Sequence, residues 1–138
     1  MIKVEAFYPL ILEAFEKDQT FSFPIKGISM QPLFHTDDLI EIAKFDSVHV
    51  GDIFLYRREN GQFVVHRVRR IKNEEYTFVG DHQAVEEPGI LSSQLIGKVI
   101  SYKKQGKDKQ YLLKGMRYRI YRFLVRSKLF RRFCGKVL

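Results

Sequence analysis

Hydrophobic and polar positions change their period twice along the 138 residues. Over residues 1–18, Phe7, Leu10, Ile11 and Phe15 recur at helical spacing, while Glu5, Glu13, Glu16 and Lys17 are left for water. Pro9 belongs in a first turn, so the helix is expected to start near Tyr8, either capping one side of the domain or docking a partner. From Phe21 to Tyr102 the pattern shortens to β-branched and aromatic runs: Phe21–Ile25, Leu39–Ala43, Ile53–Arg57, Phe63–Ile71, Tyr76–Val79 and Leu95–Tyr102. Asp37-Asp38, Val50-Gly51-Asp52, Asn60-Gly61, Lys72-Asn73 and Pro88-Gly89 punctuate them as turns. Asn60-Gly61 suits a tight hairpin, and Lys72-Asn73-Glu74-Glu75 a second. Strands joined by hairpins, with no helices between them, predict a mainly β, compact antiparallel domain. Beyond a polar loop at Gln105–Lys109, Tyr111–Leu113 suits a short strand or the approach to a helix. Met116 to Cys134 then returns to helical period, with Ile120, Phe123, Leu124, Phe130 and Phe133 on or near one face.

Length allows one domain, read as residues 1–110 for the β domain with its N-terminal helix and residues 111–138 for a basic amphipathic C-terminal helix. Charge sharpens that division. Residues 1–97 hold ten Lys and Arg against fifteen Asp and Glu, whereas residues 98–138 hold fourteen against one, Asp108. The net charge of +8 therefore belongs to the tail. Apolar content, arginines throughout and no acid describe a helix lying in an anionic membrane interface, through residues 115–134. Nucleic-acid binding ranks below that reading. A third reading has the helix packed on the domain with its basic face solvated. Cys134 is the only cysteine, so no intrachain disulfide forms, and its place on an apolar helical face argues against a nucleophile. No run approaches the ~18 apolar residues of a membrane span, and Glu5, Glu13 and Glu16 interrupt any signal-like core. The expectation is a chain in the cytosol or held at a membrane face without crossing it.

Lys26-Gly27-Ile28-Ser29-Met30-Gln31-Pro32-Leu33 is the first candidate for chemistry. Glycine before a small hydroxyl residue permits a sharp turn, and Pro32 stiffens the backbone around it, so Ser29 is expected on a rigid turn at a strand end. His66, in Phe63-Val64-Val65-His66-Arg67-Val68, shares a strand face with Val64 and Val68. A lone strand histidine is most often structural, but an imidazole also serves as general base for a serine nucleophile. A third group must then fix the tautomer, and Asp81 and Glu87 are both candidates within Gly80-Asp81-His82-Gln83-Ala84-Val85-Glu86-Glu87. Their bland readings are a loop cap and a solvated charge. Metal binding through His35, His66, His82 and carboxylates is the competing use; no tight ligand spacing supports it, so no metal and no cofactor is expected.

Gly27-Ile28-Ser29-Met30-Gln31-Pro32, Val50-Gly51-Asp52-Ile53, Val65-His66-Arg67-Val68, the Gly80–Glu87 segment and Ile96-Gly97-Lys98-Val99 occur in an order that resembles the signal peptidase I and LexA-type serine peptidase superfamily, over about residues 20–102. Histidine at the base position is similar to the archaeal and endoplasmic-reticulum type of signal peptidase. The resemblance implies a β peptidase domain with Ser29 as nucleophile, His66 as base and an acidic partner at Asp81 or Glu87, the latter standing where that branch has Asp. Gly27 stands where many signal peptidases carry a serine that helps form the oxyanion hole, which would leave backbone N–H groups, including that of Ser29, to form it. Val79 replaces a frequent lysine. The membrane-spanning anchor of signal peptidases and the DNA-binding domain of repressors are both missing from the expected organisation.

The expected function is a serine endopeptidase, similar to signal peptidase, that cleaves an extended precursor peptide aligned beside a strand near Phe23–Gly27, with Ile28, Met30 and Leu33 either shaping side-chain pockets or packing the core. The alternatives are a non-catalytic peptide- or anion-binding module on the same scaffold, and nucleic-acid binding through the basic tail.

Overall fold

The computed structural model describes residues 4–126. A short 3-10 turn, Val4–Phe7, leads into helix α1, Tyr8–Glu16, with Pro9 in its first turn as expected. Eight strands come next: β1 Phe21–Pro24, β2 Leu39–Ala43, β3 Ile53–Arg57, β4 Phe63–Lys72, β5 Glu75–Val79, β6 Glu87–Leu91, β7 Leu95–Lys103 and β8 Gln110–Leu112. Helix α2, Met116–Val125, closes the described chain. The expected continuation of this helix to Cys134 lies outside the described residues.

All strand pairs are antiparallel, in the order β1-β2-β7-β3-β4-β5-β6, with β8 against the end of β7. The fold is thus mainly β with a helix near each end, as the runs and turns predicted. Strand β3 is the most buried, because it lies between β7 and β4 and both its faces are covered. That is why Ile53-Phe54-Leu55-Tyr56 shows no polar alternation. Ile53 and Leu55 join Phe23, Ile25, Ile40, Ile42, Val65 and Val99 on one face, where Ile11 and Phe15 of α1 seal the layer. Phe54 and Tyr56 join Val68, Phe78, Ile90 and Leu95 on the other. Met30, Leu33 and Phe34, from the loop after β1, enter the first cluster.

Two details depart from the expected elements. Pro88 and Gly89, read as a turn, lie inside β6. The strand sits at the end of the sheet and pairs only with β5, through an irregular register, so a residue without an N–H does no harm there. The hairpin between β3 and β4 turns through Glu59-Asn60-Gly61, with Arg58 N–H donating to the Gln62 carbonyl at 2.8 Å. That three-residue loop pairs Tyr56 with Val64 and Phe54 with His66. Between β4 and β5 the expected hairpin forms, and Asn73 and Glu74, both at positive φ, make its two-residue turn.

Candidate active site

Ser29 is held by a loop that is pinned at its base. Asp37 N–H donates to the Ile25 carbonyl at 2.8 Å and Ile25 N–H to the Asp38 carbonyl at 2.9 Å. Buried Asp38 accepts from His35 N–H, Gln105 N–H and Lys104 Nζ at 2.8–3.0 Å. Burial pushes the Asp38 carboxyl up, but these donors outweigh it and hold it below the usual range. Met30, Leu33 and Phe34 anchor the loop in the core, so Met30 and Leu33 are packing residues, whereas Ile28 faces outward. Gly27 takes φ +93°, as a sharp turn ahead of the serine requires.

A second loop fixes Ser29 from behind. His82 N–H donates to the Ser29 carbonyl at 2.9 Å, and a Cβ at Gly80 would stand 2.4 Å from that same oxygen. Only glycine permits this approach, so Gly80 sets where the Ser29 loop rests.

His66 projects from β4 and is buried. Its Nε2 lies 3.1 Å from Ser29 Oγ, across 37 residues of chain. Its Nδ1 lies 3.3 Å from the hydroxyl of Tyr56. Tyr56 in turn donates to Glu87 Oε1 at 2.5 Å, and Glu87 is held by Arg58 Nε at 2.8 Å and Arg58 Nη2 at 3.1 Å. Since the tyrosine proton is committed to the carboxylate, its oxygen is left to accept Nδ1–H. Nε2 then carries the lone pair facing Ser29, the tautomer a general base needs. Of the two candidate acids, Glu87 thus stands on the histidine side, one tyrosine removed.

Asp81 is placed differently. It is fully buried and meets Arg67 in a two-pronged pair, Nε and Nη2 each at 2.8 Å, with Tyr121 donating at 2.9 Å. Arg67 completes its own set on the Gly51 carbonyl and the Tyr118 hydroxyl, both at 2.8 Å. Burial drives the guanidinium toward neutrality, but Asp81 overrides this and the group stays charged. The Asp81 carboxylate is therefore committed to holding α2 against β4, not to the imidazole.

Electrostatics favour a neutral imidazole. Burial, followed by the Arg58 charge, holds the His66 imidazole down to about 4; Glu87 and Asp81 pull the other way and lose. Tyr56 is raised far above the ordinary phenol range by burial and by Glu87, so it remains a hydroxyl. Burial raises the Glu87 carboxyl, but Arg58 and Tyr56 outweigh it and keep it ionised.

Ser29 and His66 open onto a cleft of about 500 Å³ lined by Phe23, Ile25, Leu55 and Phe63 to Val65. It runs between two strand edges that, among the described residues, lack neighbours along the cleft. Among the described residues, strand β1 pairs only with β2, and residues 63–66 of β4 pair only with β3, because β5 begins its pairing at Arg67. Among the described residues, no group of three His, Cys, Asp or Glu stands close enough to hold a metal ion. Sequence reasoning missed Tyr56 and Arg58. The signal was present in the alternation of β3, which puts Tyr56 on the Phe54 face, but its use required the hairpin register.

No curated protein matches the chain. A protein-family model described as Peptidase S24-like matches residues 2–100, a span that includes both strand edges, Ser29, His66, Tyr56 and Glu87. The chain accordingly belongs to the Peptidase S24-like family, within the superfamily of LexA and signal peptidase I, and carries a serine-peptidase type of fold.

Proposed function

We propose that this chain is a serine endopeptidase acting on an extended segment of a precursor polypeptide, in the manner of signal peptidases that use histidine as base. The observation that carries the reading is the 3.1 Å approach of His66 Nε2 to Ser29 Oγ, with Nδ1 tied back to Tyr56. The substrate adds as a strand between the free edges of β1 and β4, and its main chain supplies the hydrogen bonds. Ser29 Oγ attacks the scissile carbonyl carbon while its proton passes to His66 Nε2. Backbone N–H groups at the Ser29 turn, including its own, receive the developing oxyanion. The imidazolium then gives its Nε2 proton to the leaving amine, and an ester on Ser29 remains. Water, deprotonated by His66, attacks that ester; the bond to Ser29 Oγ breaks, His66 returns the proton to Oγ, and the acid is released. Tyr56 holds the ring in register throughout, and Glu87, neutralised by Arg58, keeps the tyrosine oxygen turned toward Nδ1.

A fluorophosphonate probe, which reacts covalently with activated serines, tests this directly. The wild-type chain is expected to label, Ser29→Ala not at all, and His66→Ala far more slowly. Absence of labelling in a folded wild-type chain would leave the cleft as a peptide-binding groove without catalysis. Labelling retained in Ser29→Ala would assign the nucleophile elsewhere.

A further inference from the structure

A surface helix ordinarily turns its apolar stripe toward the core. Helix α2 does the reverse. The side that packs on the domain carries Tyr118, Tyr121 and Val125, with Arg122 lying against Gly51; the Tyr118 hydroxyl bonds Arg67 and the Tyr121 hydroxyl bonds Asp81. The opposite side presents Met116, Ile120, Phe123 and Leu124, which are 72, 56, 69 and 43 % exposed. These four fall at i, i+4, i+7 and i+8, one continuous stripe. Arg117 borders it on one flank and Arg119 on the other, both exposed, and the helix contains no acid.

From this arrangement we infer that α2 is a docking surface for an anionic lipid bilayer. The stripe enters the interface beneath the headgroups, and the flanking guanidiniums reach lipid phosphates. The geometry disfavours the other occupants. A second copy of this face would bring arginines against arginines across the contact. Nucleic acid would engage the arginines but leave Ile120 and Phe123 in water, without the gain that lipid provides. No described helix is long and apolar enough to cross a membrane, so the contact is with one face of the bilayer. The consequence reaches the cleft. Tyr121 is bonded to Asp81, and the next residue, His82, holds the Ser29 carbonyl, so docking α2 fixes the orientation of the Ser29–His66 cleft above the lipid.

Flotation of the full chain with vesicles tests the inference. Vesicles of phosphatidylcholine containing phosphatidylglycerol are expected to carry the protein, and vesicles of phosphatidylcholine alone to carry little. Arg119→Gln is expected to lower the partition about fivefold, from the loss of one cation at the surface. The double variant Ile120→Ser with Phe123→Ser is expected to lower it by about tenfold or more, with an unchanged melting transition because both side chains are exposed. If that variant melts early, Arg119→Gln decides alone. Partition unaffected by either change overturns the proposal. So does nucleic-acid binding with a steep salt slope and no flotation, or a dimer that the double variant abolishes while vesicles are ignored. Ser29→Ala is expected to float like wild type and the double variant to keep its probe labelling, so this inference and the peptidase reading fail separately.

Discussion

His66 and Arg67 are neighbours on β4, point to opposite faces, and meet almost the same chemical groups. On the His66 side a tyrosine, Tyr56, bonds a carboxylate, Glu87, which pairs with Arg58. On the Arg67 side two tyrosines, Tyr118 and Tyr121, surround the pair of Arg67 with Asp81. The difference is closure. In the Asp81 cluster both carboxylate oxygens are taken and the pair is buried, so it has nothing left to offer a substrate and serves to tie α2 to the sheet. In the Glu87 cluster the ion pair is partly exposed at the cleft, and the chain of bonds ends on an imidazole whose last nitrogen faces a hydroxyl. A polar network becomes a catalytic candidate when one valence is left open beside a cleft, not when its charges are strongest.

The comparison breaks most sharply at the open end. Ser29→Ala is expected to lower kcat by about 10⁶-fold without loss of stability, measured on any peptide the wild type cleaves. Asp81→Ala should do the opposite: urea denaturation should show a loss of about 3–5 kcal/mol, since Arg67 is left charged and buried without its partner. A fall in kcat with stability intact would instead move Asp81 to the histidine side. Tyr56→Phe leaves the ring's packing and removes its oxygen, so kcat should fall about 10–100-fold, with KM little changed, as for the loss of a group that orients a general base. An unchanged kcat would mean that Nδ1 needs no partner.

The pH dependence sharpens the comparison further. His66 must be neutral to accept a proton, so kcat/KM should rise through about pH 4 and then level. Arg58→Gln removes a positive charge that disfavours the imidazolium, and this acid limb should move to higher pH; a limb that stays in place would show that burial alone sets it. The smallest effect is on folding. The folded value of about 4 lies below the free value of 6.5, so between them the unfolded chain binds more protons and stability falls as pH falls. His66→Gln should lose that part of the acid dependence, read from denaturation midpoints at pH 7 and pH 4.5.

Strands β2 and β3 coincide with the runs expected from sequence because both are bounded by strong turn signals, and alternation correctly put His66 on the face of Val68. The Ser29 loop was legible from Gly27 and Pro32. The limits were equally physical. Pro88-Gly89 reads as a turn wherever the surrounding sheet is unknown, and only an edge position makes it a strand. A two-residue turn centred on Asn60-Gly61 would have paired Tyr56 with Val65; the three-residue turn pairs it with Val64. One residue of slip exchanges the faces of a strand, so the neighbour of His66 depended on a choice that local sequence leaves open.

The sequence by itself determined six of the eight strands, the turn at which Ser29 and the strand on which His66 would lie, and that positive charge gathers in the last third of the chain. These are local matters, set by side-chain period, turn residues and composition. Only the tertiary structure decided which carboxylate lies on the side of the imidazole, that a tyrosine stands between them, and that α2 turns its tyrosines inward and its apolar stripe outward. Each of those depends on contacts between residues 10 to 51 positions apart, which register and packing select and no short stretch of chain encodes.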